Sequence, residues 1–330
     1  MLKRIIPATL AVGLLAGASM ALAQEKWDLV NEYGPTSVHA QTADKFIEVL
    51  KNKSGGKIEI TAHHGASLGY KSADQFDAVG DGAVQVASSF IGPWAGINPV
   101  FLLTSLPFLA PTVEDAWALY EAAKPYYSKV LDEADQVFLC ATPWPPSGFW
   151  ANKPIDSLEA LKGLRIRTYD ASGTITLRNA GAAPIQLSWA DVVPQLATKG
   201  IDGVLTSADG GAASQLWEHQ SHFTEVNYAM PLQIIHMNKA VFEGLSDDLK
   251  QAVREAAAEA EEFGWKLLEK RVQENYEEMK SHGMTIVTDV PREMIEKLRE
   301  AGKPALEEWK SKMGPDAEKI LQDYEARRKR

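Results

Sequence analysis

The chain has one cysteine, Cys140, in the apolar run VFLC. No internal disulfide can form, and the position reads as a buried, inert thiol. Positive charge is also scarce: 34 Lys and Arg stand against 44 Asp and Glu, a formal net charge of −10, which argues against nucleic acid as a partner. Phosphate-binding loops, dinucleotide fingerprints and zinc-protease motifs are missing, as are internal repeats and low-complexity linkers. Histidine clusters are few: His63 with His64, and Glu218 and His219 with His222. Adjacent histidines on a strand point to opposite faces, and His219 with His222 lacks a clear third ligand, so neither a metal nor a cofactor is expected. Past residue 23 no run is long and apolar enough to cross a bilayer, which predicts a soluble mature protein.

The N-terminus has the pattern of a secretory leader. Lys3 and Arg4 form a positive n-region, Ile5 to Met20 an apolar stretch broken by Pro7, and Ala21-Leu22-Ala23 a small-x-small cleavage site. Cleavage after Ala23 places the mature chain in the periplasm. It also removes two positive charges, taking the net charge from −10 to −12.

A mature chain of about 307 residues exceeds what one core usually holds, so two domains are expected. Short apolar runs alternate with longer amphipathic stretches, the signature of α/β architecture. KIEITAH (57–63) alternates as a strand, 72–79 follows as a helix, and AVQVASSF (83–90) reads as another strand before a Gly/Pro-rich loop over 92–99. The most distinctive helix opens at Ser246 as N-cap, with Asp247 and Asp248 in its first turn, and stops at Gly283. It is longer than either domain should be across, so it is expected to tie the two together. Gly264 is a candidate bend. Val253, Ala256, Ala257, Ala260, Phe263 and Leu267 form a broad globular stripe rather than a coiled-coil seam.

The segment KGLRIRTYD (162–170) carries the most informative residue. Arg167 ends a short apolar strand, and its guanidinium presents a planar fork of donors that matches a carboxylate or sulfonate. Read alone, it is either such an anion holder or a surface residue paired with an acid. Leu164 and Ile166 alternate with Arg165 and Arg167, so the two arginines share a face and Arg165 is the competitor.

The chain resembles the DctP-type solute-binding subunits of tripartite ATP-independent periplasmic (TRAP) transporters along its whole mature length. The resemblance rests on the order and spacing of FIEVLKNKSGGKIEITAHHGASLG (46–69), DGAVQVASS (81–89), SLPFL (105–109), ANKPIDSLEALKGLRIRTYD (151–170), KGIDGV (199–204) and HMNKAVFEGLSDDLKQAV (236–253), followed by a long helix. It implies an α/β, two-domain periplasmic-binding-protein fold with hinge strands, a closing cleft, and a long C-terminal helix spanning both domains. Domain I would hold 24–144 plus 233–272, and domain II 145–232 plus 273–330. The implied function is capture of a small organic acid as a monomer and its delivery to the small and large membrane subunits of a permease.

By the same resemblance, Arg167 falls on the family's carboxylate-binding arginine, with Arg165 nearer the surface. Trp189, in QLSWADVV, falls where an aromatic residue lines the cleft, although a tryptophan at this spacing also suits a core. From domain I, Ser89 lies in a matching block, QVASS, while Tyr33, His39 and Lys71 are placed toward the cleft only by their positions in loops after its early strands, where residues more often sit at the surface. Two departures bear on the ligand. Thr206 stands where many members have an asparagine, and Ser147 stands where some dicarboxylate and sugar-acid binders have a second arginine. One strong cation suggests one acid group. Trp144, Trp150 and Trp217, with Trp189, suggest an apolar or aromatic body, which points to 2-oxo, 2-hydroxy or aromatic monocarboxylates, with organosulfonates as the alternative. Asp209 either accepts from a ligand hydroxyl or amine or serves the ADGG turn.

Two rival functions fit parts of the sequence. Gly65-Ala66-Ser67-Leu68-Gly69 matches the G-x-S-x-G elbow of a serine hydrolase, but the strand before it alternates polar and apolar residues, where a hydrolase's central strand would be buried on both faces. A ligand-loaded sensor docking on a membrane kinase is the other.

Overall fold

The computed structural model describes residues 24–329, so the leader lies outside the described residues. Its strands, in chain order, are β1 (Glu25–Asn31), β2 (Ile58–His63), β3 (Val86–Phe90), β4 (Gln136–Pro143), β5 (Ser147–Ala151), β6 (Arg165–Thr168), β7 (Ala183–Gln186), β8 (Gly203–Ser207), β9 (His222–Thr224), β10 (Leu232–Asn238) and β11 (Thr285–Val287). They form two sheets, ordered β2-β1-β3-β10-β4 and β11-β9-β5-β8-β6-β7. Each sheet is the centre of one α/β lobe. The expected strand over 83–90 starts later, at Val86, and the Gly/Pro-rich loop after it coils into a 3₁₀ turn over Gly92–Gly96.

The chain crosses between lobes twice in the strand region: through Trp144, Pro145 and Pro146 from β4 to β5, and back through residues 225–231 from β9 to β10. The returning β10 runs antiparallel to both β3 and β4, whereas β1 pairs in parallel with β2 and β3. Every residue of β3 and β10 is buried. Interior strands covered on both faces lose the polar-out alternation, so the polar groups they carry have to find partners inside.

The long helix spans Asp247–Ser281, 35 residues or about 53 Å. On the first lobe, Trp265 Nε1 donates to the Ala141 carbonyl at 2.9 Å, and Glu261 accepts from the Ala141 amide at 3.0 Å. On the second, Arg271 Nε donates to Asp209 at 2.7 Å and the Tyr276 hydroxyl to Glu225 at 2.7 Å. One rod thus rests on both lobes. Gly264 serves close approach: a Cβ there would sit 2.4 Å from Thr142 Cγ2 and 2.6 Å from Thr42 Oγ1, and the helix runs through it unbroken.

The C-terminal segment departs from the expected partition, which placed everything after residue 272 on the second lobe. The helix Pro315–Arg328 packs on the first-lobe helix Val113–Glu133, with Ala317, Ile320 and Tyr324 in one apolar cluster with Phe101 and Leu119. Tyr324 donates to the Leu109 carbonyl at 2.9 Å. The helix before it, Arg292–Met313, touches both lobes: Trp309 Nε1 donates to Pro99 O, and Gly302 lies against Pro107 and Thr176. Their apolar faces show that they pack but not on which lobe.

Candidate functional site

Strand β6 places its two arginines at opposite ends of the second sheet. Arg165, at the outer end, makes a bidentate pair with Asp202 at 2.6 and 2.9 Å in partial solvent. Arg167, at the inner end, is only 2 % exposed. Its Nε donates to the Leu187 carbonyl at 3.0 Å and its Nη1 to the Leu205 carbonyl at 3.4 Å, which aims the planar head at the space between the lobes. Among the described residues no carboxylate lies within ion-pair distance of it. Burial pushes its pKa below the ordinary arginine value, opposed by Tyr33 and then Glu32 nearby. A buried cation without a counter-ion is costly, and an incoming anion relieves that cost.

Around this guanidinium is a narrow chamber lined by Tyr33, Phe90, Trp144, Ser147, Arg167, Tyr169, Trp189, Thr206, Ser207 and Pro231. Both lobes and both crossings contribute. The Arg167 head sits 5.2 Å from the Trp189 ring centroid and 5.8 Å from that of Tyr169, within cation–π range. Tyr33 packs on Trp144 at 4.5 Å and stacks on Trp189 at 5.8 Å, while Phe90 meets Tyr169 edge-on at 5.5 Å. Each of those last two pairs joins the lobes. Trp189 is held by its Nε1 donating to Ser214 Oγ at 3.1 Å, and the Tyr169 hydroxyl reaches Ser147 Oγ at 3.4 Å. Burial, reinforced by Glu32, raises the Tyr33 phenol far above its usual range, so it stays a neutral donor. A second, larger chamber of about 200 Å³ opens on the other side of Arg167. It shares Tyr33, Phe90, Tyr169 and Trp189 and adds Glu32, Ala73, Pro93 and Gln186–Ser188.

Of the residues expected in a cleft, Arg167, Trp189, Thr206, Trp144, Ser147 and Tyr33 come together here. Five do not. Ser89 faces the interior of the first lobe, where it donates to Gln75 Oε1 at 2.5 Å and meets His236 Nε2 at 2.8 Å. Its neighbour Phe90, on the opposite face of the same strand, takes the cleft position. Asp209 is fully buried at the start of the helix Ala208–Ala213 and accepts from the Val38 amide at 3.0 Å and from Arg271 at 2.7 Å. It ties lobes and long helix together. His39 lies behind Trp144, ring centroids 4.1 Å apart, with Nδ1 on Thr142 Oγ1 at 3.0 Å. Burial holds its pKa down at about 3, so it is neutral. Lys71 is taken by Asp191 of the opposite lobe at 2.8 and 2.9 Å. Trp217 stacks on His282 at 4.2 Å, away from the chamber, and Trp150 is a core residue against Phe223.

Sequence reading missed Phe90, Tyr169, Ser207, Pro231 and Glu32. Tyr169 had a signal, since it lies two residues past Arg167 and so on the same side of the extended chain. Ser67 sits exposed in a turn, while the nearby His63 pairs with Asp28 at 2.7 Å and His64 with Asp44 at 3.0 Å.

Comparison with known proteins places this geometry in a family. YiaO of Escherichia coli, a 2,3-diketo-L-gulonate-binding periplasmic protein, is 26% identical over 88% of this chain and 89% of its own length. Among solved structures, DctP6 of Bordetella pertussis, an extracytoplasmic solute receptor binding pyroglutamic acid, superimposes with a TM-score of 0.87 at 31% identity, covering 91% of this chain and 99% of that one. A marine metagenome TRAP solute-binding protein specific for pyroglutamate gives 0.88 at 29% identity over 92% and 99%. The model of the bacterial extracellular solute-binding proteins, family 7 (DctP), matches residues 29–312, and the chain belongs to that family of TRAP solute-binding proteins.

Proposed function

We propose that the protein is a periplasmic receptor that captures a small organic acid bearing one carboxylate and delivers it to the two membrane subunits of a TRAP permease. The observation that carries this reading is the buried Arg167 head, without an acidic partner, facing a chamber walled by five aromatic rings. The carboxylate takes the guanidinium fork in a site with little water, where the pair is stronger than in solution. The rings of Trp144, Trp189, Tyr33, Phe90 and Tyr169 cover the ligand's carbon skeleton, and Ser147, Thr206 and Ser207 offer hydroxyls to a further polar group. Pyroglutamate, which two similar receptors bind, has this make-up: one carboxylate on a compact ring. Closure takes place between the lobes that change over near residues 144 and 232.

A thermal-shift screen over acids tests the reading. A ligand at ~100 times its Kd stabilises the fold by roughly 2.7 kcal/mol. Pyroglutamate and 2-oxo or 2-hydroxy monocarboxylates should raise the melting temperature more than C4-dicarboxylates and sulfonates do. Succinate or malate outperforming every monocarboxylate would refute the single-charge assignment.

A further inference from the structure

We infer that Glu32 makes the cleft selective for acids with a single negative charge. The inference rests on the proposed Arg167–carboxylate pairing and assigns to this residue the exclusion of a second acid group.

Glu32 directly follows β1 and is only 3 % exposed. Its two oxygens are held by backbone amides from opposite lobes. Oε2 accepts from the Ser72 N–H at 2.8 Å, at the start of the helix Ser72–Gly80, and Oε1 accepts from the Ala190 N–H at 2.9 Å, in the turn Trp189–Asp191. The carboxyl is thus fixed when the lobes meet, and it cannot swing away to make room for another anion.

Its position divides the space around Arg167. On one side the aromatic chamber has no cation other than Arg167 itself. On the other, the larger chamber has Glu32 in its wall. Lys71, the nearest candidate for a second cation, is already committed to Asp191. An acid with one carboxylate gives Arg167 its counter-charge. The second carboxylate of a diacid meets either aromatic rings and neutral hydroxyls with no cation to balance its charge, or a like charge at Glu32, and both are unfavourable. In recognition terms this is discrimination by a repulsive element built beside the attractive one.

The test is a Kd ratio, succinate over pyroglutamate, measured by calorimetry on the full mature chain. Wild type should favour pyroglutamate. Glu32→Gln keeps an acceptor for one amide and removes the charge, so the ratio should fall at least about tenfold, chiefly through tighter succinate. Glu32→Ala should move it the same way. Ser172→Ala is the neutral control, because it removes the contacts of Ser172 Oγ with the Ser105 carbonyl across the lobes at 2.8 Å and with Asp170 Oδ1 at 2.9 Å, without a change of charge. It should weaken both acids alike and leave the ratio in place. A Glu32→Gln ratio equal to wild type, with Arg167-dependent binding intact, overturns this inference and leaves the proposed function standing. Loss of pyroglutamate binding in both Glu32 variants, with native melting, also overturns it and makes Glu32 a closure tie only. A wild type that binds neither acid overturns the proposed function with it.

Discussion

The two ends of β6 carry the same side chain in opposite circumstances. At the outer end Arg165 is half in solvent and matched by Asp202, two charges that water would screen well in any case. At the inner end Arg167 is buried against Trp189 and Tyr169 with only carbonyl acceptors of its own chain. The arginine proposed to hold the anion is thus the one with the poorer pairing. The proposed site stands out by an interaction that the folded chain leaves incomplete.

The sharpest way to break the comparison is to delete each arginine in turn. Arg167→Ala should lower affinity for the bound acid by more than ~100-fold, with Arg167→Lys intermediate because it keeps the charge and loses the fork. Arg165→Ala should change affinity by less than ~3-fold. Equal losses in calorimetry would show that Arg167 is not the anion's seat.

Interior and surface also differ in how they answer acid. His39 and His236 are buried and neutral, both held at a pKa of about 3 by desolvation. The unfolded chain takes up these protons near pH 6.5 and the folded chain does not, so their contribution to stability is constant above that pH and falls as pH drops from 6.5 toward 3. Each should remove up to ~1.4 kcal/mol per pH unit across that window. Denaturant unfolding from pH 8 to 4 measures the slope, and His39→Gln should make it shallower. An unchanged slope in that variant would mean His39 is protonated in the fold.

The smallest of these effects separates the tryptophans. Trp144→Ala and Trp189→Ala should each weaken acid binding about tenfold through lost ring contact. Trp217→Ala, whose ring lies on His282, should leave it within ~2-fold. A Trp217 effect as large as the other two would extend the site beyond the chamber.

The inward placement of Arg167 was legible because it depends on local facts: strand period and strand end. The long helix was legible for the same reason, through its caps and its unbroken stripe. Lys71 and Asp209 were misassigned because their partners, Asp191 and Arg271, are distant in sequence and no spacing rule connects them. Ser89 was misplaced because every residue of β3 is buried, so period-two patterning gives no sign of which face meets the cleft. The lobe of the last helix was lost for want of a pattern too: an apolar stripe says that a surface is covered, and Trp309 and Tyr324 would have satisfied either lobe's core.

The chamber around Arg167 is roofed by residues of both lobes, which meet through Tyr33 with Trp189 and Phe90 with Tyr169 and are tied by Glu32 to Ala190 and Lys71 to Asp191. On the proposed function, the residence time of the acid is the waiting time for the lobes to part, and a receiving permease would act by shortening that wait rather than by outbidding Arg167 for the carboxylate.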